Sequence, residues 1–230
     1  MILITAATEY EIKPLEQLLA AVDHAEVLIT GMGPVETAAR LSSYLTLHGS
    51  RIDAVWNIGV AGAYTHSGVA LLDICLAQLE VLGDFGICLQ DEILDFDPEL
   101  TKTRTPLFFS SYLIDGFKNI FTEQNIAFKL VNFVTVNCCT GTILRGEFLR
   151  KKYDAGCENM EGAAVAMVCQ NFNIPCVELR CVSNMVDDRD KSNWLLSEAI
   201  EKTCQAVEIL LQAYVQDESS PVMANIKKES

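Results

Sequence analysis

Carboxylates that follow apolar segments are the side chains of this sequence with the clearest chemical potential. Glu9 and Glu11 follow the apolar segment 1–7, and Glu161 precedes a run of small residues. Each also suits the first turn of a helix, where a carboxylate favours the helix dipole, and that explanation suffices for any of them taken alone. A carboxylate that faces a bound molecule can instead take a proton from water or accept hydrogen bonds from hydroxyl groups.

Ser183 and Asn184 form a polar pair at the end of a later apolar run. Polar groups at a strand terminus are ligand candidates, although Ser-Asn is also ordinary turn chemistry. The charged segment 187–190 that follows is by default a solvated loop with internal ion pairs. We therefore keep Ser183 and Asn184, but not the charged segment, as candidate binding residues.

Two glycine-rich segments, 30–39 and 57–68, follow the second and third apolar runs. Glycines let backbone amides approach a ligand closely and tolerate positive φ, but tight turns explain these glycines about equally well. Neither segment matches the GxGxxG pattern of dinucleotide sites or the GxxxxGK[ST] pattern of P-loops. The sequence therefore does not support either of those two phosphate-binding functions.

The elements that position these residues alternate between strand-like and helical patterns. This alternation predicts one α/β domain over residues 1–215, with a central, mixed and largely parallel sheet flanked by helices. The β-rich pattern of residues 69–109 predicts an antiparallel or barrel-like extension of the sheet. The polar residues 216–230 lack periodicity and are predicted to form a disordered tail. Ligands of such sheets lie beyond the carboxyl ends of the strands. The predicted helices cover 9–21, 34–48, 162–172 and a C-terminal segment whose buried face consists of Leu196, Ile200, Cys204, Val207 and Leu211.

Composition restricts the class of partner. The net charge of −14 repels nucleic acids and anionic lipid surfaces. We expect no signal peptide, because the first residues are strand-like and lack a basic region and a cleavage site, and the sequence has no apolar stretch of membrane-spanning length. Its nine cysteines include no CxxC pair, and an odd number without an export signal predicts reduced, mostly buried thiols in a cytoplasmic protein.

Taken in order, these segments resemble the nucleosidase branch of the purine nucleoside phosphorylase superfamily over residues 1–215. That branch has a glutamate-rich turn after its first strand, an NxGxAG-like loop, a helix that starts with MEA and a strand that ends in RxxSD. The matching segments here are 7–12, 57–63, 160–163 and 180–184. The resemblance implies a nucleoside phosphorylase-like fold, a nucleoside substrate, a homodimer, and no metal or organic cofactor.

One departure from the pattern bears on the base. Asn184 replaces the aspartate that serves adenine in the branch, and an amide can donate to a 6-oxo group. Segment 183–194 also resembles the futalosine hydrolases, whose substrate carries hypoxanthine. The resemblance implies hydrolysis of futalosine to hypoxanthine and dehypoxanthine futalosine, in menaquinone biosynthesis. A methylthioadenosine/S-adenosylhomocysteine nucleosidase, a 6-oxopurine nucleoside phosphorylase and a non-catalytic nucleoside sensor remain as alternatives.

A second departure concerns the nucleophile. The phosphorylases place arginines beside the glycine loops, whereas this chain has Asn57 there and offers Glu9 and Glu11 in the first loop. A carboxylate repels phosphate and activates water, so we expect a hydrolase.

The resemblance also assigns roles to individual residues. Glu11 is expected to be the general base for water, and Asn184 to hold the departing base. Glu161 is expected to bind the ribose hydroxyls. The remaining substrate-binding positions are Met160 against the sugar, Ser183 beside the amide, Val60, Ala61 and Gly62 on the sugar and water side, and Cys139 and Thr140 near the base.

Overall fold

The computed structural model describes residues 1–89, 92–97, 99, 105–188 and 191–216. Within these residues, strands and helices alternate through most of the chain. The strands are β1 (Ile2–Ala6), β2 (Ala25–Ile29), β3 (Ala54–Tyr64), β4 (Ile74–Leu82), β5 (Ile87–Leu89), β6 (Glu92–Leu94), β7 (Leu107–Phe108), β8 (Phe128–Thr135), β9 (Ala155–Asn159) and β10 (Cys176–Val186). The helices are α1 (Glu9–Ile12), α2 (Glu16–Leu19), α3 (Pro34–His48), α4 (Ser111–Glu123), α5 (Ile143–Tyr153), α6 (Gly162–Phe172) and α7 (Leu196–Gln216).

Eight of the described strands build one mixed sheet, which confirms the predicted α/β architecture, and β5 and β6 pair with each other in a separate antiparallel sheet. The order is β2-β1-β3-β9-β8-β4-β10, and β7 pairs with β4. The strand β10 also pairs with β3, in parallel, so this part of the sheet closes on itself. The pairs β4–β10 and β3–β9 are antiparallel. The predicted barrel-like extension is therefore present and starts at β4.

The predicted helix over 9–21 is interrupted. Pro14 lies in a short 3-10 turn, Lys13–Leu15, that separates α1 from α2. Proline lacks the backbone N–H that a continuing α-helix needs, and its ring clashes with the preceding turn. The interruption leaves α1 as a single turn that begins directly after the first strand and carries both candidate glutamates.

The glycine-rich segment 57–68 is not the loop that the sequence suggests. Residues 57–64 belong to β3, an 11-residue strand that is almost completely buried. Its glycines allow close approach by neighbouring side chains: a Cβ on Gly59 would lie 2.6 Å from Oε1 of Glu11. The segment 30–39, in contrast, does begin as a loop, and Gly31 and Gly33 adopt positive φ there.

The C-terminal helix α7 buries most of its predicted face. Ile200, Cys204, Val207 and Leu211 are buried, whereas Leu196 is 37% exposed at the mouth of a cavity. All nine cysteines are free; six are buried and three, Cys88, Cys138 and Cys139, are exposed. None of the described helices is long and apolar enough to span a membrane. The predicted tail lies outside the described residues, apart from Gln216 at the end of α7.

Candidate active site

All ten residues predicted from the sequence line one cavity of about 380 Å³. The cavity lies at the carboxyl ends of β1, β8 and β10, as expected for the sheet. The ten residues are Glu11, Val60, Ala61, Gly62, Cys139, Thr140, Met160, Glu161, Ser183 and Asn184.

Glu11 faces the cavity from α1, and the helix cap holds it there. Its Oε2 accepts hydrogen bonds from the backbone N–H and the hydroxyl of Thr8, both at 3.0 Å, which completes a capping box. Oε1 points towards the backbone N–H of Val60, 3.4 Å away. Glu9, the other candidate, is exposed. Of the two glutamates, Glu11 is the one that reaches the cavity.

Burial raises the pKa of the Glu11 carboxyl above its usual value, although the positive charge of Arg180 acts in the opposite direction. A carboxyl group with a raised pKa is a stronger base when it is ionised. The Glu11 side chain forms part of the cavity wall. Glu11 therefore has the chemistry of a general base.

Arg180 links the candidate residues at the floor of the cavity and was not among the predicted site residues. Its Nη2 contacts Oε2 of Glu161 at 3.3 Å, and its Nε donates to Oε1 of Glu178 at 2.5 Å. Its Nη1 donates to the carbonyl of Val60 at 2.9 Å. The guanidinium is thus held by two carboxylates and fixes the position of Glu161.

Glu161 is buried at the start of α6. Besides Arg180, its carboxylate accepts a hydrogen bond from the backbone N–H of Gly33 at 3.0 Å. Oδ1 of Asn159 accepts from the backbone N–H groups of Glu161 and Gly162 at 2.8 and 2.7 Å. Asn159 therefore stabilises the start of α6 and, through it, the position of Glu161.

Ser183 and Asn184 occupy a β-bulge of β10, not the end of the strand as expected. The pairing register with β3 shifts between Val182 and Asn184, and a bulge redirects the side chains next to it. The Ser183 hydroxyl lies 2.9 Å from Oδ1 of Asn184 and donates to it. The amide oxygen is thereby engaged, and its NH₂ group makes one bond, to the Met185 carbonyl. One N–H of the amide remains for a ligand.

Met160 and Cys139 close one wall of the cavity. The Cys139 Sγ lies 3.3 Å from the Sδ of Met160, and Cys139 is exposed whereas Met160 is half-buried. Further along the wall, Tyr10, Met32, Trp194 and Leu196 surround the entrance. The cavity therefore combines a charged floor with an apolar rim.

The family model described as the phosphorylase superfamily matches residues 18–216 of the chain. The chain belongs to this superfamily.

Individual members of the phosphorylase superfamily resemble the chain over most of its length. The futalosine hydrolase of Thermus thermophilus is 29% identical, over 80% of this chain and 80% of its own length. The 5'-methylthioadenosine/S-adenosylhomocysteine nucleosidase of Staphylococcus aureus is 26% identical over 81% of both chains. The solved structure of a futalosine hydrolase mutant of Helicobacter pylori has a TM-score of 0.82 and 25% identity, covering 92% of this chain and 98% of its own.

The sequence did not predict the charged side chains that lie inside apolar strands near the site. Arg180, Glu178 and Glu80 belong to β10 and β4, and all three are buried. A charged residue inside an apolar strand needs a buried partner. The presence of charges within these apolar runs could therefore have indicated a buried ion pair. In the described residues, no cluster of His, Cys, Asp and Glu has the arrangement of a metal site.

Proposed function

We propose that the protein hydrolyses the N-glycosidic bond of futalosine, releasing hypoxanthine and dehypoxanthine futalosine, as a step of menaquinone biosynthesis. The observation that carries the proposal is the Asn184 amide, held by Ser183 in the same cavity as Glu11. An amide donor suits a 6-oxopurine, and a buried carboxylate suits the activation of water. The name of the Thermus thermophilus relative supports the same substrate.

In the proposed reaction, Glu11 takes a proton from a water molecule that attacks the anomeric carbon. Cleavage passes through an oxocarbenium-like state, which nearby carboxylates stabilise. Glu161 accepts hydrogen bonds from the ribose hydroxyls, and Met160 packs on the sugar. Asn184 donates to the departing base and stabilises the negative charge that develops on it. The cavity wall at Val60, Ala61 and Gly62 borders the sugar and the water.

The charge around Arg180 favours water over phosphate as the nucleophile. An arginine does lie beside the glycine-rich strand, contrary to the sequence expectation, and could in principle attract an anion. Its guanidinium is however paired with Glu178 and Glu161, and Glu11 lies close enough for its charge to act on Arg180. An added phosphate would face these carboxylates, so phosphorolysis is the less favoured alternative.

Hydrolysis of methylthioadenosine or S-adenosylhomocysteine is the second candidate. The Staphylococcus aureus relative favours it, and the apolar rim with Met32 and Trp194 suits a thioether substituent. Asn184 is the feature against it, because an amide cannot pass a proton to the base as an aspartic acid can.

The test is to incubate the protein with futalosine, methylthioadenosine and inosine, each with and without phosphate, and to identify the released base by chromatography. We expect hypoxanthine from futalosine, at a rate that phosphate does not change. Faster release of adenine from methylthioadenosine would replace this proposal by the second candidate. A strict phosphate requirement would show a phosphorylase.

We further propose that the protein is a homodimer, which rests on the resemblance, and that it is cytoplasmic, which rests on its cysteine content. Light scattering coupled to size-exclusion chromatography distinguishes a dimer from a 25.4 kDa monomer.

A further inference from the structure

Glu158 is a buried carboxyl group of the cavity that the mechanism above does not use. It lies on β9, lines the cavity and is 6% exposed. Its Oε1 accepts a hydrogen bond from the backbone N–H of Thr140 at 2.9 Å. Thr140 is one of the loop residues expected near the base. Glu158 therefore engages the donor that this loop would otherwise offer to a purine.

Glu158 and Asn184 stand on either side of Gly62 in one row of the sheet. Gly62 is paired with Asn184 of β10 and with Glu158 of β9. Paired residues project from the same face, and neighbouring strands are about 4.8 Å apart. A Cβ on Gly62 would lie 3.2 Å from Nδ2 of Asn184 and 3.6 Å from Cγ of Glu158. The glycine thus leaves a gap that is flanked by an amide and a carboxyl group.

The Glu158 end of this gap holds three buried polar groups that lie beside one another. In the part of the chain that the structure describes, Oε2 of Glu158, Oγ1 of Thr140 and the hydroxyl of Tyr64 are buried without a hydrogen bond of normal geometry. Buried polar atoms are nearly always paired. Burial raises the pKa of Glu158, and the Thr140 and Tyr64 groups lie close enough to oppose that rise. A carboxylate oxygen has two acceptor positions, so a ligand N–H could add a donor to Oε2 beside these two hydroxyls.

We propose that Glu158 selects the base by accepting a hydrogen bond from N1–H of a 6-oxopurine while Asn184 donates to its O6. This inference rests on the proposed function and adds a specificity residue to it. A 6-oxopurine has a donor at N1 beside an acceptor at C6, which matches an acceptor beside a donor. A 6-aminopurine reverses both groups, so that its N1 lone pair faces the Glu158 carboxylate.

The test exchanges the acceptor for a donor with Glu158→Gln. The Thr140 N–H still holds the oxygen of the new amide, so the NH₂ group takes the other position and faces N1. We expect the ratio of kcat/KM for futalosine to that for its 6-amino counterpart to fall about 10- to 100-fold, the effect of one charge-assisted hydrogen bond. Glu123→Gln, at the exposed end of α4, is the matched control and should leave the ratio unchanged.

A second measurement uses the unmodified protein and does not depend on the folding of the variant. Calorimetric titration with hypoxanthine and 1-methylhypoxanthine should give a dissociation constant about 10- to 100-fold larger for the methylated base, which lacks the N1 donor. An unchanged substrate ratio in Glu158→Gln, an equal loss on both nucleosides, or equal binding of the two bases would overturn the inference. The proposed function fails separately, if the unmodified protein does not release hypoxanthine from futalosine.

Discussion

Glu11 caps a helix, and we propose that the same carboxylate also has a chemical task. Its Oε2 closes the capping box with Thr8, and its Oε1 remains at the cavity beside Val60. The capping interaction fixes the side-chain rotamer, so the free oxygen is held in position before a substrate arrives. The close approach of Glu11 to the backbone of Gly59 adds to this constraint. Glu11 therefore lies in the first turn of a helix, as one interpretation expected, and its role as a general base stays a proposal.

Replacing Glu11 by Gln should leave the fold intact and reduce kcat about 10²- to 10⁴-fold, because the amide keeps the shape but cannot take a proton. Steady-state kinetics on futalosine, with circular dichroism to check folding, measure the effect. Glu9 lies two residues before Glu11 and is exposed to solvent. Glu9→Gln is therefore the control and should retain the activity. If the two variants behave alike, Glu11 is not the base.

Replacing Asn184 by Asp should shift the preference of the enzyme from 6-oxo to 6-amino nucleosides. The carboxylate would face O6 of hypoxanthine, placing two acceptors together, whereas it can accept from the amine of adenine. Discrimination built on such buried pairs reaches about 10⁴-fold where a partner is left unpaired. The ratio of kcat/KM for futalosine to that for methylthioadenosine should therefore fall. A ratio equal to that of the unmodified protein would remove the main physical support for the futalosine assignment.

At the scale of the elements, the site depends on how closely the start of α6 packs against the sheet. A Cβ on Gly162 would lie 2.1 Å from Oε1 of Glu80 and 2.4 Å from Oε2 of Glu178. The MEA pattern of the resembling nucleosidases has alanine at this position. Here the carboxyl groups of Glu80 and Glu178 take up that space. Glu80 accepts hydrogen bonds from Thr135 and Asn159, and Glu178 accepts one from Arg180.

Gly162→Ala should therefore displace Glu178 and, with it, Arg180 and the start of α6. Overpacking of a buried position costs about 1–3 kcal/mol of unfolding free energy, and we expect kcat/KM to fall as well. Urea unfolding and steady-state kinetics are the measurements. Gly49→Ala is the matched control, since its Cβ would make only ordinary contacts from 3.7 Å outward. Equal stability of the two variants would contradict this account of α6.

The sequence allowed the polar residues that follow apolar runs to be predicted, but not the charged residues within those runs. Glu11, Glu161 and Asn184 follow apolar runs, and parallel strands bring such positions to one edge. The role of Glu158 depends on its pairing with Gly62, which lies far away in the chain. No local pattern contains that information. Helices α4 and α5 were also missed, although Leu113, Phe117 and Phe121 recur every four residues in α4 and are buried.

At the scale of the whole molecule, the interior carries an excess of negative charge. Within the described residues, the buried charged side chains are Glu11, Glu80, Glu158, Glu161, Glu178 and Arg180. One guanidinium cannot neutralise this set, and an unpaired buried carboxylate is costly. Burial accordingly raises the pKa of Glu80, Glu178, Glu158 and Glu11. Each of these groups therefore keeps its proton to a higher pH in the folded protein than in the unfolded chain.

Glu80 shows most directly how these protons affect stability. Its pKa is raised well above 4.5, first by burial and then by the charge of Glu178. When the pH rises above about 4.5, the unfolded chain loses this proton while the folded protein keeps it, so the wild type loses stability until the pH reaches the folded-state pKa. Glu80→Gln removes that loss, because an amide does not titrate. The oxygen of the new amide can accept from Asn159 while its NH₂ group donates to the hydroxyl oxygen of Thr135.

The free energy of unfolding of Glu80→Gln relative to the wild type should therefore increase between pH 5 and pH 8, by up to about 1.4 kcal/mol for each unit by which the pKa is raised. Urea unfolding at both pH values gives this difference. Glu123→Gln, exposed on α4, controls for the general change in net charge and should show no such increase. A difference that is constant between the two pH values would mean that Glu80 is ionised in the folded protein, and that Arg180 and the surrounding amides stabilise both carboxylates beneath the cavity.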